Sequence, residues 1–428
     1  MVGAGIFTTS GVMTKQLPDP LWILFCWVLG GIIATAGALS YAELATRMPK
    51  EGGEYVYLRE LFHPSLGFLT GWTSLVVGFS VPIALSAMGF SAYLFAGLEH
   101  HFTILDGSSS IFLQKLLAIF LIVLFTFLHY IGGRLGPQIQ NILTFSKILL
   151  IVGLAALGLL FGKGDWSNFT VVQDQSFDLM AFGTAMMIVM YAYSGWNASV
   201  YIAGELKNPG RTIPISLIGG TVIVMLMYLF INVFYFYATP FAQLKGTITV
   251  GEVAVANAFG TGISDFLGLM IGAMLLSSLS AFIMIGPRVY YAMAQDGLFL
   301  NFASRVHPRY QVPSFAILVQ GSIAITMVII GSFEQLLIYV GFALGIFPWL
   351  AVFGLFKARR QKIGEHTAVQ VHTLAPVFFL IASLFVMTIA FINSPAESIA
   401  AIITVLAGIP CYYLWVKFSN KKATAKDS

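Results

Sequence analysis

Charge is what this sequence has least of. Only 9% of its 428 residues are Asp, Glu, Lys or Arg and 58% are hydrophobic, whereas soluble domains carry about a quarter charged residues, so the chain is not built for water. Cysteine is also scarce: Cys26 and Cys411 both lie inside apolar runs and read as small core residues, which excludes a disulfide framework and a thiolate metal cluster. The seven histidines show no HExxH or related ligand spacing, and no glycine-rich phosphate loop precedes a helix. A membrane-embedded enzyme is therefore disfavoured, and no metal or cofactor is expected. A channel is disfavoured too, because no ring of like charges recurs in the apolar runs. The net charge of +4 carries no argument for nucleic acid, since the basic residues fall between those runs.

What the sequence has in quantity is hydrocarbon. Runs of about 20 apolar residues, enough to cross roughly 30 Å of bilayer, recur from one end to the other. Eleven full spans are predicted, at roughly 21–46, 66–97, 111–132, 139–162, 178–204, 213–238, 264–294, 313–331, 334–356, 371–393 and 396–417, after a short apolar opening piece. They are too long and too uniform for barrel strands, so the fold class is an all-α integral membrane protein. Residues 1–417 form one polytopic unit and residues 418–428 a basic tail. Seventeen lysines and arginines fall in one set of alternating loops and the tail, and four (Lys15, Lys115, Lys163 and Lys245) fall in the other set. This bias places the first set and the C-terminus in the cytoplasm, as expected of a plasma-membrane protein.

That orientation gives the opening MVGAGIFTTSG a meaning. If the 21–46 span runs inward, Lys15 to Asp19 lie outside, and residues 5–14 are too few to cross alone. The expectation is a first helix broken near mid-membrane whose cytoplasmic half is absent from this sequence; an interfacial stub is the simpler alternative. The piece lacks the charged start and cleavage site of a signal segment. A second interruption lies in MIVMYAYSGWNASVYIAGELKNPGR, which turns small and polar at Ser194, Gly195 and Asn197. Glycine and serine at mid-membrane weaken a helix and free backbone groups that only a cavity or ligand can satisfy, although such residues also serve close helix packing.

Counting the opening piece as helix 1, the interruptions fall in helices 1 and 6, corresponding members of two five-helix halves of opposite orientation. Paired broken helices of this kind point to a transporter site. The outer half-helix starting near Gly3, Ala4, Gly5 and Ile6 offers free N–H groups and a partial positive charge to a carboxylate. The chain from Tyr191 to Ser194 offers carbonyls to an ammonium. A zwitterion with both groups on one carbon fits between them.

Five motifs carry a family resemblance along the whole chain: GAGIF, GALSYAELATRMPKEGGEYVYL, LGPQIQNILTFSK, YSGWN followed by GELKNPGRTIP, and GPRVYYAMAQDG. In them the sequence resembles the amino acid, polyamine and organocation transporter superfamily, in particular its L-type amino acid transporter and serine/threonine exchanger branch. The resemblance implies the leucine-transporter fold, a 5+5 inverted repeat with two extra helices. Repeat one would occupy about 1–162, repeat two about 178–356 and the extra helices about 371–417. It also implies secondary transport, with a cytoplasmic start to helix 1 ahead of GAGIF.

Lys147 is the basic residue deepest in a span, where an ammonium costs about 2.5 kcal/mol or more unless it faces a polar cavity. By resemblance it stands where related sodium-dependent carriers hold a sodium ion, near Gly3 and Ser277 or Ser278. Releasing its proton would couple flux to protons; keeping it would suit an exchanger. Tyr191 falls at the family's aromatic gate, or it is core packing. Asn197 falls where cationic-substrate exchangers carry an acid, so its neutrality favours neutral L-amino acids; the alternative role is a capping amide. Trp196 reads as packing beside the break. Glu43 and Glu205 end spans, and Glu205, near Lys207 and Arg211, reads as an ion pair or inner gate. The expected partners are the amino acid, protons and the bilayer, with no obligatory protein partner evident. The competing reading is a truncated, non-transporting or sensing relative of the same fold. Lys147→Ala is expected to abolish uptake while leaving folding intact; undiminished uptake in proteoliposomes would remove Lys147 from the mechanism.

Overall fold

Asp19 and Pro20 begin the first long helix by ordinary capping chemistry. The Asp19 carboxylate accepts from the N–H groups of Leu21 (2.8 Å) and Trp22 (3.1 Å), and Pro20 takes the first helical position, where no N–H is needed. The helix Pro20–Arg47 then runs for 28 residues, far enough to cross a bilayer. The computed structural model describes residues 1–50, 52–99, 107–132, 137–170, 177–295, 297, 299–365, 367 and 369–424. Among the described residues nine helices are long and apolar enough to span, which makes this a multi-pass membrane protein.

All eleven predicted spans correspond to helical segments, and the differences lie in how some are built. The 66–97 run is one helical rod, Pro64–Leu98, interrupted by a π-helical turn at Ser74–Phe79. The rod Pro209–Ala238 likewise contains a π turn, Ile215–Gly219, just after the internal Pro214. The run 178–204 is not one α-helix: Leu179–Tyr193 ends at Ser194, and after Asn197 the chain continues as the 3-10 helix Ala198–Glu205. Two short helices, Glu54–Leu61 and Val250–Phe259, fill connections read from the sequence as loops.

The opening helix Ala4–Met13 is buried along its whole length. Ten residues at 1.5 Å each span about 15 Å, half a hydrocarbon core. It packs against Leu179–Tyr193, Val250–Phe259 and the Thr261–Gln295 helix, so it is enclosed by protein rather than lipid. The outer surface is of the opposite kind: Ile111, Phe112, Phe120 and Phe127 of the Gly107–Tyr130 helix are exposed, as a lipid-facing stripe should be.

On the side bearing the basic loops, Glu43 is fully buried and holds the end of Pro20–Arg47 to the end of Phe333–Arg360. Its carboxylate accepts from Arg47 Nε (2.9 Å), from Arg359 Nε (2.9 Å) and Nη2 (2.6 Å), and from the Val371 N–H (2.8 Å). A buried carboxylate so completely paired destabilises sharply when one side is removed, because two arginines are left without their counter-charge. Glu43→Ala is expected to destabilise the fold by about 3–5 kcal/mol, read as a lowered thermal unfolding midpoint in detergent.

Candidate functional site

The opening helix and the broken helix meet at Gly5 and Ala192. A Cβ on Gly5 would fall 2.7 Å from both the Cα and the Cβ of Ala192, so only glycine lets the two backbones approach. Gly3 is the N-cap, in extended conformation with no side-chain cap, and leaves the first N–H groups of the opening helix to face whatever lies below. On the other strand of the site the α-helix stops at Ser194, whose N–H bonds back to the Tyr191 carbonyl (2.9 Å), and Gly195 takes a left-handed φ of 87°. That reversal turns the chain out of the helix.

The Tyr228 hydroxyl sits between these two segments. It lies 2.9 Å from the Met1 carbonyl and 3.2 Å from the Ala192 carbonyl, tying both to the Pro209–Ala238 rod. Sequence reasoning missed Tyr228, because an aromatic in an apolar run looks like packing and its pairing is set only by the fold.

Beneath the two segments opens a cavity of about 1430 Å³. Gly3, Ala4, Gly5, Tyr191, Ser194, Gly195 and Asn197 all line it, so seven of the sequence-predicted binding residues are brought together. Ile6 does not line it and is fully buried in the core. Its volume exceeds the roughly 300–1,000 Å³ of ordinary ligand pockets, because it continues downward past Glu54, Arg288 and Gln295 toward the basic side. The opposite side is sealed. Gly246 N–H donates to the Gly11 carbonyl (2.8 Å), Thr14 Oγ1 donates to Leu244 (2.9 Å), and Lys15 and Gln16 both reach Glu334 (3.2 and 3.0 Å). The molecule is thus open on one side and closed on the other.

Lys147, 4% exposed, lines this cavity and donates to Ser278 Oγ at 2.7 Å. The same Ser278 oxygen lies 3.8 Å from where a Gly3 Cβ would be, so the Lys147 amine stands beside the opening-helix N-terminus. Of the two serines singled out, Ser278 takes this role; Ser277 is buried, outside the cavity lining, with a hydroxyl that makes no hydrogen bond among the described residues. Trp196 packs against Tyr41 (ring centroids 4.8 Å) and Phe379 (5.9 Å), the packing role expected of it. Glu205 ends the 3-10 helix, and its side chain lies outside the described residues.

Asn197 lines the cavity, but its amide nitrogen donates to Glu54 Oε1. Tyr41 donates to the same oxygen at 2.9 Å. Glu54 is 5% exposed, and burial pushes its carboxyl up to about 7 against the opposing hydrogen bonds from Tyr41, Asn197 and Tyr201. The sequence displayed Glu54 only inside a family motif; the glycine pair before it was the local signal that this connection makes a close approach. The π turn also reaches the site, with Ser74, Gly78 and Phe79 on the cavity wall, a placement common for such turns at functional sites.

Gly5→Ala is expected to push the two backbones apart, with an overpacking penalty of about 1–3 kcal/mol. The measurement is amino-acid binding by the purified protein alongside its unfolding midpoint. Unchanged values of both would show that the close approach is dispensable.

Comparison with known proteins agrees with this arrangement. The amino acid permease family model matches residues 1–415. The serine/threonine exchanger SteT of Bacillus subtilis (strain 168) is 31% identical over 96% of this chain and 93% of its own length. The human b(0,+)-type amino acid transporter 1 is 29% identical over 98% of this chain and 85% of its own, and the human cystine/glutamate transporter 27% identical over 98% and 83%. With the opening helix and an interrupted helix meeting over one cavity and a family match along nearly its whole length, the chain belongs to the amino acid permease family and is a secondary amino acid transporter or exchanger.

Proposed function

We propose that this chain carries neutral L-amino acids across the plasma membrane by alternating access, with its C-terminus and basic loops in the cytoplasm. The observation that carries the substrate reading is the convergence, on one cavity, of the opening-helix N-terminus at Gly3–Gly5 and the interrupted chain at Tyr191–Asn197. The first suits a carboxylate, by its free N–H groups and partial positive charge, and the Lys147 amine beside it adds a further donor. The second suits an ammonium by its carbonyls. One zwitterion satisfies both ends.

The rest of the wall supports a neutral side chain. Met187, Met190, Val224, Met227 and Leu344 offer apolar, adaptable surface, and methionine adjusts to ligands of different shape. Glu54, the acid on the described lining, is already bonded to Asn197 and Tyr41. The two interruptions are read as equivalent positions of inverted repeats, one half moving against the other around the site. Tyr191 is read as the gate over the substrate and Glu205 as part of the inner gate. The role is transport rather than catalysis, and the substrate and the bilayer are the partners this reading needs.

The orientation rests on the distribution of lysine and arginine, which also makes the open side of the cavity the cytoplasmic one. The test is uptake into proteoliposomes of a labelled mixture of neutral amino acids. Uptake is expected to be suppressed by excess unlabelled neutral amino acids but not by arginine or glutamate. Flux that requires amino acid inside identifies exchange, and flux driven by an imposed proton gradient identifies symport. Equal suppression by arginine or glutamate would overturn the neutral-substrate reading.

A further inference from the structure

Glu54 stands at a junction that substrate binding alone does not explain. It opens the short helix Glu54–Leu61 between the spans Pro20–Arg47 and Pro64–Leu98, yet its carboxyl is buried against the far side of the broken helix. Three attachments hold that loop to the broken helix. Asn197 of the break donates to Glu54 Oε1, an oxygen that also accepts from Tyr41 of the preceding span at 2.9 Å. The Gly52 N–H donates to the Tyr201 carbonyl at 3.2 Å. The third is shape: Gly52 and Gly53 both have positive φ, and a Cβ on Gly53 would fall 2.7 Å from Val200 Cγ2 and 3.0 Å from the Tyr201 ring. The loop is thus fitted to the 3-10 segment directly after the break.

The chemistry of the junction is that of a neutral acid. All three of its hydrogen-bond donors, Asn197, Tyr41 and Tyr201, are neutral, and the first two converge on Oε1. The ionisable side chains facing it are phenols: Tyr41 from the preceding span, Tyr57 on its own helix and Tyr201 from the 3-10 segment. Among the described residues no lysine or arginine forms an ion pair with Glu54. An ionised carboxylate here is buried without a counter-charge, and release of the loop into water relieves it.

We propose that Glu54 is a positioning residue of the transporter, a proton-dependent latch that clamps the first basic-side loop to the broken helix when neutral and releases it when ionised. The inference rests on reading Tyr191–Asn197 as the substrate-gripping break, and it adds a control on that break. The sign follows from linkage. Burial holds the carboxyl up to about 7 in the latched form, against an ordinary value near 4.5 in water. Protonation therefore favours the latched form, and the latch weakens as pH rises toward 7. The weakening falls in the interval between the two values, up to about tenfold per pH unit from about 4.5 to 7, and levels off above 7, where both forms are ionised.

Val200 is fully buried beneath Gly53 and reports the latch directly. In a full-length Cys26→Ala, Cys411→Ala background, Val200→Cys is to be labelled with a membrane-impermeant maleimide, with Glu54 either retained or carrying the further change Glu54→Gln. Glutamine remains neutral at every pH, and comparing the two proteins at each pH cancels the ionisation of the reporter thiol. The ratio of labelling rates, the protein retaining Glu54 over its Glu54→Gln counterpart, is expected to rise on the order of tenfold between pH 5.5 and 7.5 and to level off above that. A ratio that does not change with pH overturns the proposal. Ala203→Cys, also fully buried on the same segment, is a second reporter and must give the same profile. Uptake of the neutral amino-acid mixture is expected to vary with pH on the cytoplasmic side in the parent and to lose that variation in Glu54→Gln; superimposable profiles count against the latch. Failure of the neutral-substrate reading would appear as altered competition while the labelling ratio still changed with pH. Failure of the latch would leave the competition pattern intact.

Discussion

In hydrocarbon a peptide group has no water to turn to, so a helix can be interrupted there only if the freed N–H and C=O groups find partners in the protein or in a ligand. This constraint organises the molecule. The Leu179–Tyr193 helix stops inside the protein, and Tyr228 supports the Ala192 carbonyl from a neighbouring rod. Tyr93 does the same for the opening helix, donating to the Phe7 carbonyl at 2.6 Å while accepting from the Gly251 N–H at 3.2 Å. The groups left over, the first N–H groups of the opening helix and the chain around Ser194, line the cavity.

The same constraint explains why so much of the protein is scaffold. The opening helix has no lipid-facing side, so its position is set by everything packed around it. The seal above it is made of small residues and short bonds, with Gly11 pressed against the Thr247 carbonyl and Thr14 bonded to Leu244. Below, the weight falls on carboxylates. Glu43 is paired with two arginines and joins two long helices, whereas Glu54 meets only neutral donors and joins a loop to the break. Two buried acids on the same side of the membrane thus have opposite electrostatic surroundings, one facing two cations and the other only neutral hydrogen-bond donors.

Much of this was legible in the sequence for reasons of length and pattern. An apolar run of twenty residues has few folds open to it, so the spans follow from hydropathy, and YSGWN announces its break because serine, glycine and asparagine do not belong together at mid-membrane. Lys147 was legible by its incongruity. What was hidden depends on which residues meet. Nothing in a run of apolar residues distinguishes the turn at Ser74–Phe79 from an α-helix, since a π turn needs only one more residue per turn. Ser277 and Ser278 are adjacent and alike, and only the helix's rotation decides which one reaches Lys147. Glu54 reads as a loop acid until Asn197, 143 positions away, is brought against it.

The contact between Gly5 and Ala192 has a consequence for how such a protein diversifies. Where two main chains touch with no side chain between them, the contact is made by atoms that every amino-acid residue shares. Point mutation can obstruct that contact by adding a Cβ but has little else there to adjust. Divergence is thereby channelled to the far wall of the cavity, where methionines and other side chains stand. A lineage built on this plan can reshape that wall many times over without reinventing the joint that holds its two helices together.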